Sequence, residues 1–151
     1  MSLDHTHDPD LISWVDSARD HADFPVQNLP FGMMDFGEGP RPVVAIGDEV
    51  FDLQAATQRG LLGESRELAC AAAAPNLNAL ANLGAGVRRE LRRRVSALFT
   101  GSDPSLHDDS QAQTEVLRPQ SEGTMLAPFA IGDYTDFYCS IHHATNVGSM
   151  F

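Results

Sequence analysis

The sequence predicts a small, mainly β domain carrying α-helical insertions. Three observations lead there. The chain has 151 residues, 42% of them hydrophobic, which suffices for one domain with a real core. Its texture runs from Pro-, Gly-, Val- and Phe-rich stretches, through alanine- and arginine-rich ones, back to aromatic and β-branched residues punctuated by proline. Strands, then helices, then strands suit a sheet interrupted by a helical insertion.

Residues 1–20 are polar and acidic and read as an N-terminal tail, with "LISWV" as an apolar island able to form a short helical turn. The opening has no apolar core, so no signal peptide is expected. From His21 the chain changes character. "PVVAIGDEVFDL" places two apolar runs around Gly47-Asp48, and glycine first in a two-residue loop suits a type II′ turn. A hairpin is expected over about 42–53. "LQAATQRGLLG" predicts a short helix stopping near Gly60 or Gly63. "RELACAAAAPNLNALANLG" predicts an alanine-rich helix broken at Pro75. In "GVRRELRRRVSALFTG", Val87, Leu91, Val95 and Leu98 share one stripe, with Arg88, Arg89, Arg92 and Arg93 mostly on the other face. That spacing predicts a helix over 85–99, stopped by Gly101. "GSDPSLHDDSQAQ" is expected as a loop, and "TEVLRPQSEGTMLAPFAIGDYTDFY" as a return to strands.

Charge narrows the partners. The net charge is −11, and all ten basic residues are arginine. An acidic chain repels phosphate, so neither nucleic acid nor an anionic membrane surface is an expected partner. The arginine cluster is expected as a solvated outer face. Cys70 and Cys139 lie far apart outside any CxxC pair, so they give neither a disulfide framework nor a zinc site, and reduced cytosolic thiols are expected. No apolar run approaches the ~18 residues of a membrane span.

The chemistry gathers in "DYTDFYCSIHHATNVGSMF", residues 133–151. Asp133, Asp136, Tyr138, His142 and His143 fall close together there. Carboxylates favour hard cations, but one or two cannot supply the full oxygen shell. Histidine is the usual general base near neutral pH. On a strand, Asp136 and Tyr138 would share a face, setting a ligand beside a phenol. An inert reading stands beside this one: half-buried Tyr and His, with Asp133 shaping a Gly-Asp turn.

That packet resembles the signature at the start of the catalytic domain in the fumarylacetoacetase (fumarylacetoacetate hydrolase) family. "DFPVQNLPFGMM" with "VVAIGDEVFDL" is similar to the opening of the family's N-terminal domain, and "GTMLAPFAIGDYTDFY" to its interdomain junction. The similarity covers about 21–151, with a divergent helical middle. It implies an SH3-like small β-barrel over 21–125 with a helical insertion, then the truncated first strands of a β-rich catalytic domain over 126–151. It implies hydrolysis of a carbon–carbon bond, 4-fumarylacetoacetate plus water giving fumarate and acetoacetate, in the catabolism of tyrosine and phenylalanine. It assigns Asp136 to a divalent ion (Ca²⁺, with Mg²⁺ able to serve), Tyr138 to substrate contact, and His143 to the general base; His142 receives no role.

The family continues well past this segment, carrying the other metal ligands, the carboxylate partner of the base and most of a homodimer interface. The 151 residues are thus expected to be a fragment, a designed chain or a broken gene product, inactive and weak in Ca²⁺ by themselves. Residues 128–151 are expected to be poorly ordered or packed non-natively, since their sheet partners are absent. Two rival readings remain: a non-catalytic SH3-like interaction module, and a related hydrolase acting on another diketo acid.

Overall fold

Gly47-Asp48 reverses the chain as its turn chemistry requires. In the computed structural model, which describes residues 3–151, Ile46 and Glu49 face each other across this two-residue loop. Gly47 has φ 56°, open to glycine at little cost. A Cβ there would lie 2.4 Å from the Ser17 hydroxyl and 2.5 Å from the Ala18 nitrogen, so close approach demands glycine as well. The loop joins β2 (Pro40–Ile46) to β3 (Glu49–Asp52), and β1 (Phe31–Asp35) pairs antiparallel with β2.

Six helices and the segments between them separate this meander from its last strands. Asp52 ends β3 and caps α1 (Leu53–Gln58), accepting from the Gln54 and Ala55 amides while its carboxylate lies 3.6 Å from Arg41. Gly60, at φ 74°, follows that helix. Ser65 caps α2 (Arg66–Ala72), which ends before Pro75, and α3 (Asn78–Asn82) follows. Then α4 (Gly84–Thr100) buries Leu91, Val95, Leu98 and Phe99 and stops at Gly101, φ 73°.

The expected loop over 101–113 is instead helical. α5 (Pro104–His107) starts on an Asp103 cap with proline in its first turn, and α6 (Ser110–Val116) starts on an Asp109 cap. With them the domain is mixed α/β rather than mainly β, since helical residues outnumber those in strands. The chain then adds β4 (Leu117–Pro119) beside β3 and, after a 3₁₀ turn, β5 (Thr124–Leu126) beside β1. The sheet order is β4-β3-β2-β1-β5, all antiparallel.

Period-two alternation divides each strand between two faces. Met33, Val44, Ile46 and Phe51 enter the main core with the helices. Met34, Val43 and Val50 enter a smaller cluster on the other face, with Phe36 against it and the Arg118 guanidinium 4.0 Å above the Phe36 ring.

The acidic opening is no free tail from Leu3 onward; its first two residues lie outside those described. Thr6, Ser13, Val15 and Ala18 are buried. Ser13 Oγ and the Trp14 amide both donate to the Phe99 carbonyl, at 3.0 and 3.1 Å, and Trp14 Nε1 donates to the Leu98 carbonyl at 2.7 Å. These carbonyls sit in the last turn of α4, where the helix itself supplies no donors. "LISWV" thus forms an extended cap rather than a helical turn, and the 3₁₀ turn follows it at Asp16–Ala18.

The arginine face is equally engaged. Arg92 donates to Thr6 Oγ1 at 3.0 Å and to the Gln27 carbonyl, and burial holds its guanidinium pKa below the usual value. Arg93 meets Asp4 at 3.1 Å, and Arg94 the Leu61 carbonyl at 2.8 Å. Hydrogen bonds from Thr6 chiefly, then Arg93, hold the Asp4 carboxyl far below the ordinary range.

Candidate active-site segment

Beyond Leu126 the chain leaves the sheet but not, at first, the domain. Pro128 accepts from the Leu77 amide at 2.7 Å. The Asn78 side chain then pairs with both backbone groups of Ala130: Nδ2 donates to the carbonyl at 3.0 Å, and Oδ1 accepts from the amide at 3.1 Å. Between them Phe129 lines an apolar groove of about 310 Å³ together with Phe31, Leu77, Leu80, Ala81 and Arg88.

Residues 131–140 have no regular structure. The expected strand through Asp136 and Tyr138 is absent, so the shared face expected for them does not exist. The reason is physical: a strand requires a neighbour, and the edge it would extend ends with β5 at Leu126. Asp136 and Tyr138 are both exposed. Helix α7 (Ile141–Gly148) follows, with the Ser140 hydroxyl accepting from the His143 amide at 3.2 Å. No residue of α7 is buried.

Two of the three expected site residues come together. The Tyr138 and His143 rings lie 5.3 Å apart, inclined at 56°. Tyr138 lies near the end of the irregular stretch, just before the Ser140 cap, and His143 lies in the first turn of α7. A phenol and an imidazole so placed can hydrogen-bond a polar substrate and accept a proton from water between them. Ser140 and the Asn78 clip were not singled out from sequence. The Ser-x-x-His spacing of a helix start could have indicated Ser140. Nothing local could have indicated Asn78, which lies 52 positions from Ala130.

Among the described residues, no group of three or more His, Cys, Asp or Glu side chains could hold a metal ion. Asp136 offers one carboxylate where Ca²⁺ takes roughly six to eight oxygens. The residues present therefore do not fit a Ca²⁺ or Mg²⁺ site. A highly charged cavity of about 430 Å³ involves none of the terminal segment, and its charges already oppose one another: Arg41 faces Asp52 and Glu38, and Arg59 lies 2.9 Å from Glu115. No helix among the described residues is long and apolar enough to cross a membrane.

A family model described as fumarylacetoacetase N-terminal matches residues 27–128. The fumarylacetoacetase of Bos taurus is 39% identical over 145 residues, that of Arabidopsis thaliana 38% over 144, and that of Homo sapiens 37% over 145. Each comparison covers 93% of this chain and 34% of the relative. The chain thus spans about a third of the length of the curated relatives it matches.

Proposed function

The chain belongs to the fumarylacetoacetase N-terminal family, and we propose on that premise that it serves a hydrolase of carbon–carbon bonds. The substrate is 4-fumarylacetoacetate, which with water gives fumarate and acetoacetate in tyrosine and phenylalanine breakdown. One observation carries this reading: identity of 37–39% to proteins named fumarylacetoacetase, sustained over 93% of the chain.

The chain's contribution is a scaffold and part of a site. The strand order, with β1 between β2 and β5, supports taking the sheet as the SH3-like small barrel the family implies. His143 takes a proton from water as the water oxygen attacks the carbonyl carbon on the fumaryl side. The adjacent carbon–carbon bond then breaks, its electron pair leaves as the enolate of acetoacetate, and a proton returns to that carbon. Tyr138, beside His143, hydrogen-bonds the substrate. Asp136 is one carboxylate of a Ca²⁺ or Mg²⁺ site whose other ligands this chain does not supply. The same reading makes the partner a small diketo acid, the intact enzyme a homodimer and its location the cytoplasm, with neither nucleic acid nor membrane as a partner.

The test joins the chain to the further two-thirds that the relatives possess and follows fumarate and acetoacetate by proton NMR. The longer protein should hydrolyse the diketone, His143→Ala should lose at least ~100-fold in kcat, and residues 1–151 alone should give no turnover above buffer. An inactive longer protein, or an active His143→Ala variant, overturns the reading.

A further inference from the structure

We infer that Asn78, together with Phe129, is a clip that fixes where the Tyr138–His143 segment leaves the domain, so that the helical insertion acts on a site it does not touch. The inference rests on the functional reading for its consequence in catalysis, but not for the clip itself.

The chain after β5 could depart in any direction, since every residue from Ala127 to His143 is exposed. Three contacts hold it at one place. The Leu77 amide fixes Pro128, whose ring leaves it only a carbonyl with which to bind. Phe129 is the least exposed of the large apolar residues in this stretch, at 46%, against 86% for Ile131 and 88% for Tyr134. Asn78 closes the clip by matching donor to acceptor and acceptor to donor on one residue, Ala130, as a strand neighbour would. That reciprocity fixes the position and direction of the backbone eight residues before Tyr138. Displacement of a catalytic group by about 1 Å can cost on the order of 100-fold in rate. Asn78 is therefore a positioning residue, acting on Tyr138 and His143 through the backbone.

The test compares Asn78→Ala with Gln113→Ala, which deletes side-chain bonds from α6 to the Leu106 and His107 carbonyls and contacts nothing in the terminal segment. In residues 1–151, Asn78→Ala should speed amide exchange at Ala130 by about tenfold or more while exchange at Val44, inside the sheet, follows that of Gln113→Ala. With Cys70 replaced by serine, a nitroxide on the exposed Cys139 should broaden a defined set of domain amides, and Asn78→Ala should erase that pattern where Gln113→Ala preserves it. In the longer protein, Asn78→Ala should lower kcat/KM about tenfold or more and Gln113→Ala less than about twofold. Phe129→Ala should repeat the first two effects. Wild-type exchange at Ala130, or an unchanged nitroxide pattern, in Asn78→Ala overturns the clip. Wild-type kcat/KM in that variant overturns the positioning role. A wild-type longer protein without turnover overturns the functional reading, and the exchange and nitroxide measurements then still decide the clip.

Discussion

Replacing Trp14 by phenylalanine should destabilise the domain by about 2 kcal/mol. Trp14 Nε1 supplies the donor for the Leu98 carbonyl, and its ring packs 6.1 Å from Phe99 and 5.5 Å from His107. Phenylalanine removes the donor and strands a carbonyl at the end of α4, costing about 1 kcal/mol or somewhat more. The smaller ring also loses part of two aromatic contacts, worth roughly 0.5–1 kcal/mol together. Trp14 is the sole tryptophan, so unfolding should be followed by far-UV circular dichroism in urea rather than by fluorescence. With a slope of about 2 kcal/mol per molar urea, the midpoint should fall by about 1 M. Ser13→Ala, which removes the neighbouring donor to Phe99, should show coupling in the double variant because both act on one helix end. A midpoint within ~0.2 M of wild type for Trp14→Phe would refute the idea that the N-terminal segment caps α4.

Gly47→Ala should cost more than ~2 kcal/mol, since φ 56° and the 2.4 Å approach to Ser17 both oppose a Cβ; a Tm within two or so degrees of wild type would contradict this. Glu49→Gln should stabilise the protein at pH 7, by an amount that solvent screening of this half-exposed group keeps small. Burial chiefly, then the neighbouring Asp48 charge, raises the Glu49 carboxyl pKa, so the folded state holds its proton more tightly than the unfolded chain. Wild-type stability thus falls as pH rises from the unfolded value of about 4.3 through the raised one, and the advantage of Glu49→Gln should vanish below that window. Urea titrations at several pH values check the sign; a gain that persists unchanged at pH 3 counts against it. Ser140→Ala should weaken α7 by about 1 kcal/mol, read as a loss of helical chemical shifts over residues 141–148, because that helix has no buried face to hold it otherwise.

The features legible in the sequence are those whose causes are local. The hairpin followed from Gly47-Asp48 between two apolar runs, and α4 from a stripe of Leu91, Val95 and Leu98 ending at Gly101. The signals for α5 and α6 were equally local, in Asp103-Pro104 and Asp109, but the density of Asp, Ser and Gly around them reads as loop before it reads as two caps. The role of residues 3–20 was illegible because their partners, Leu98 and Phe99, lie more than eighty positions away. At the site, sequence brought Tyr138 and His143 into one short segment, and the structure sets their rings side by side. It misjudged the backbone there because periodicity indicates strand propensity without supplying the neighbouring strand on which a strand depends.

The sheet order has a consequence for synthesis. β1 receives its second neighbour only when β5 arrives, in a pairing of Met33 with Leu126 that spans more than ninety positions. At about 5–20 residues per second, that wait lasts on the order of 5–20 s, with one edge of β1 unpaired throughout. An open edge is a template for misplaced strands. The intervening helices occupy the interval, and the residues bearing Tyr138 and His143 emerge almost as soon as Leu126 can complete the sheet. A nascent chain therefore closes its sheet only moments before the Tyr138–His143 segment appears.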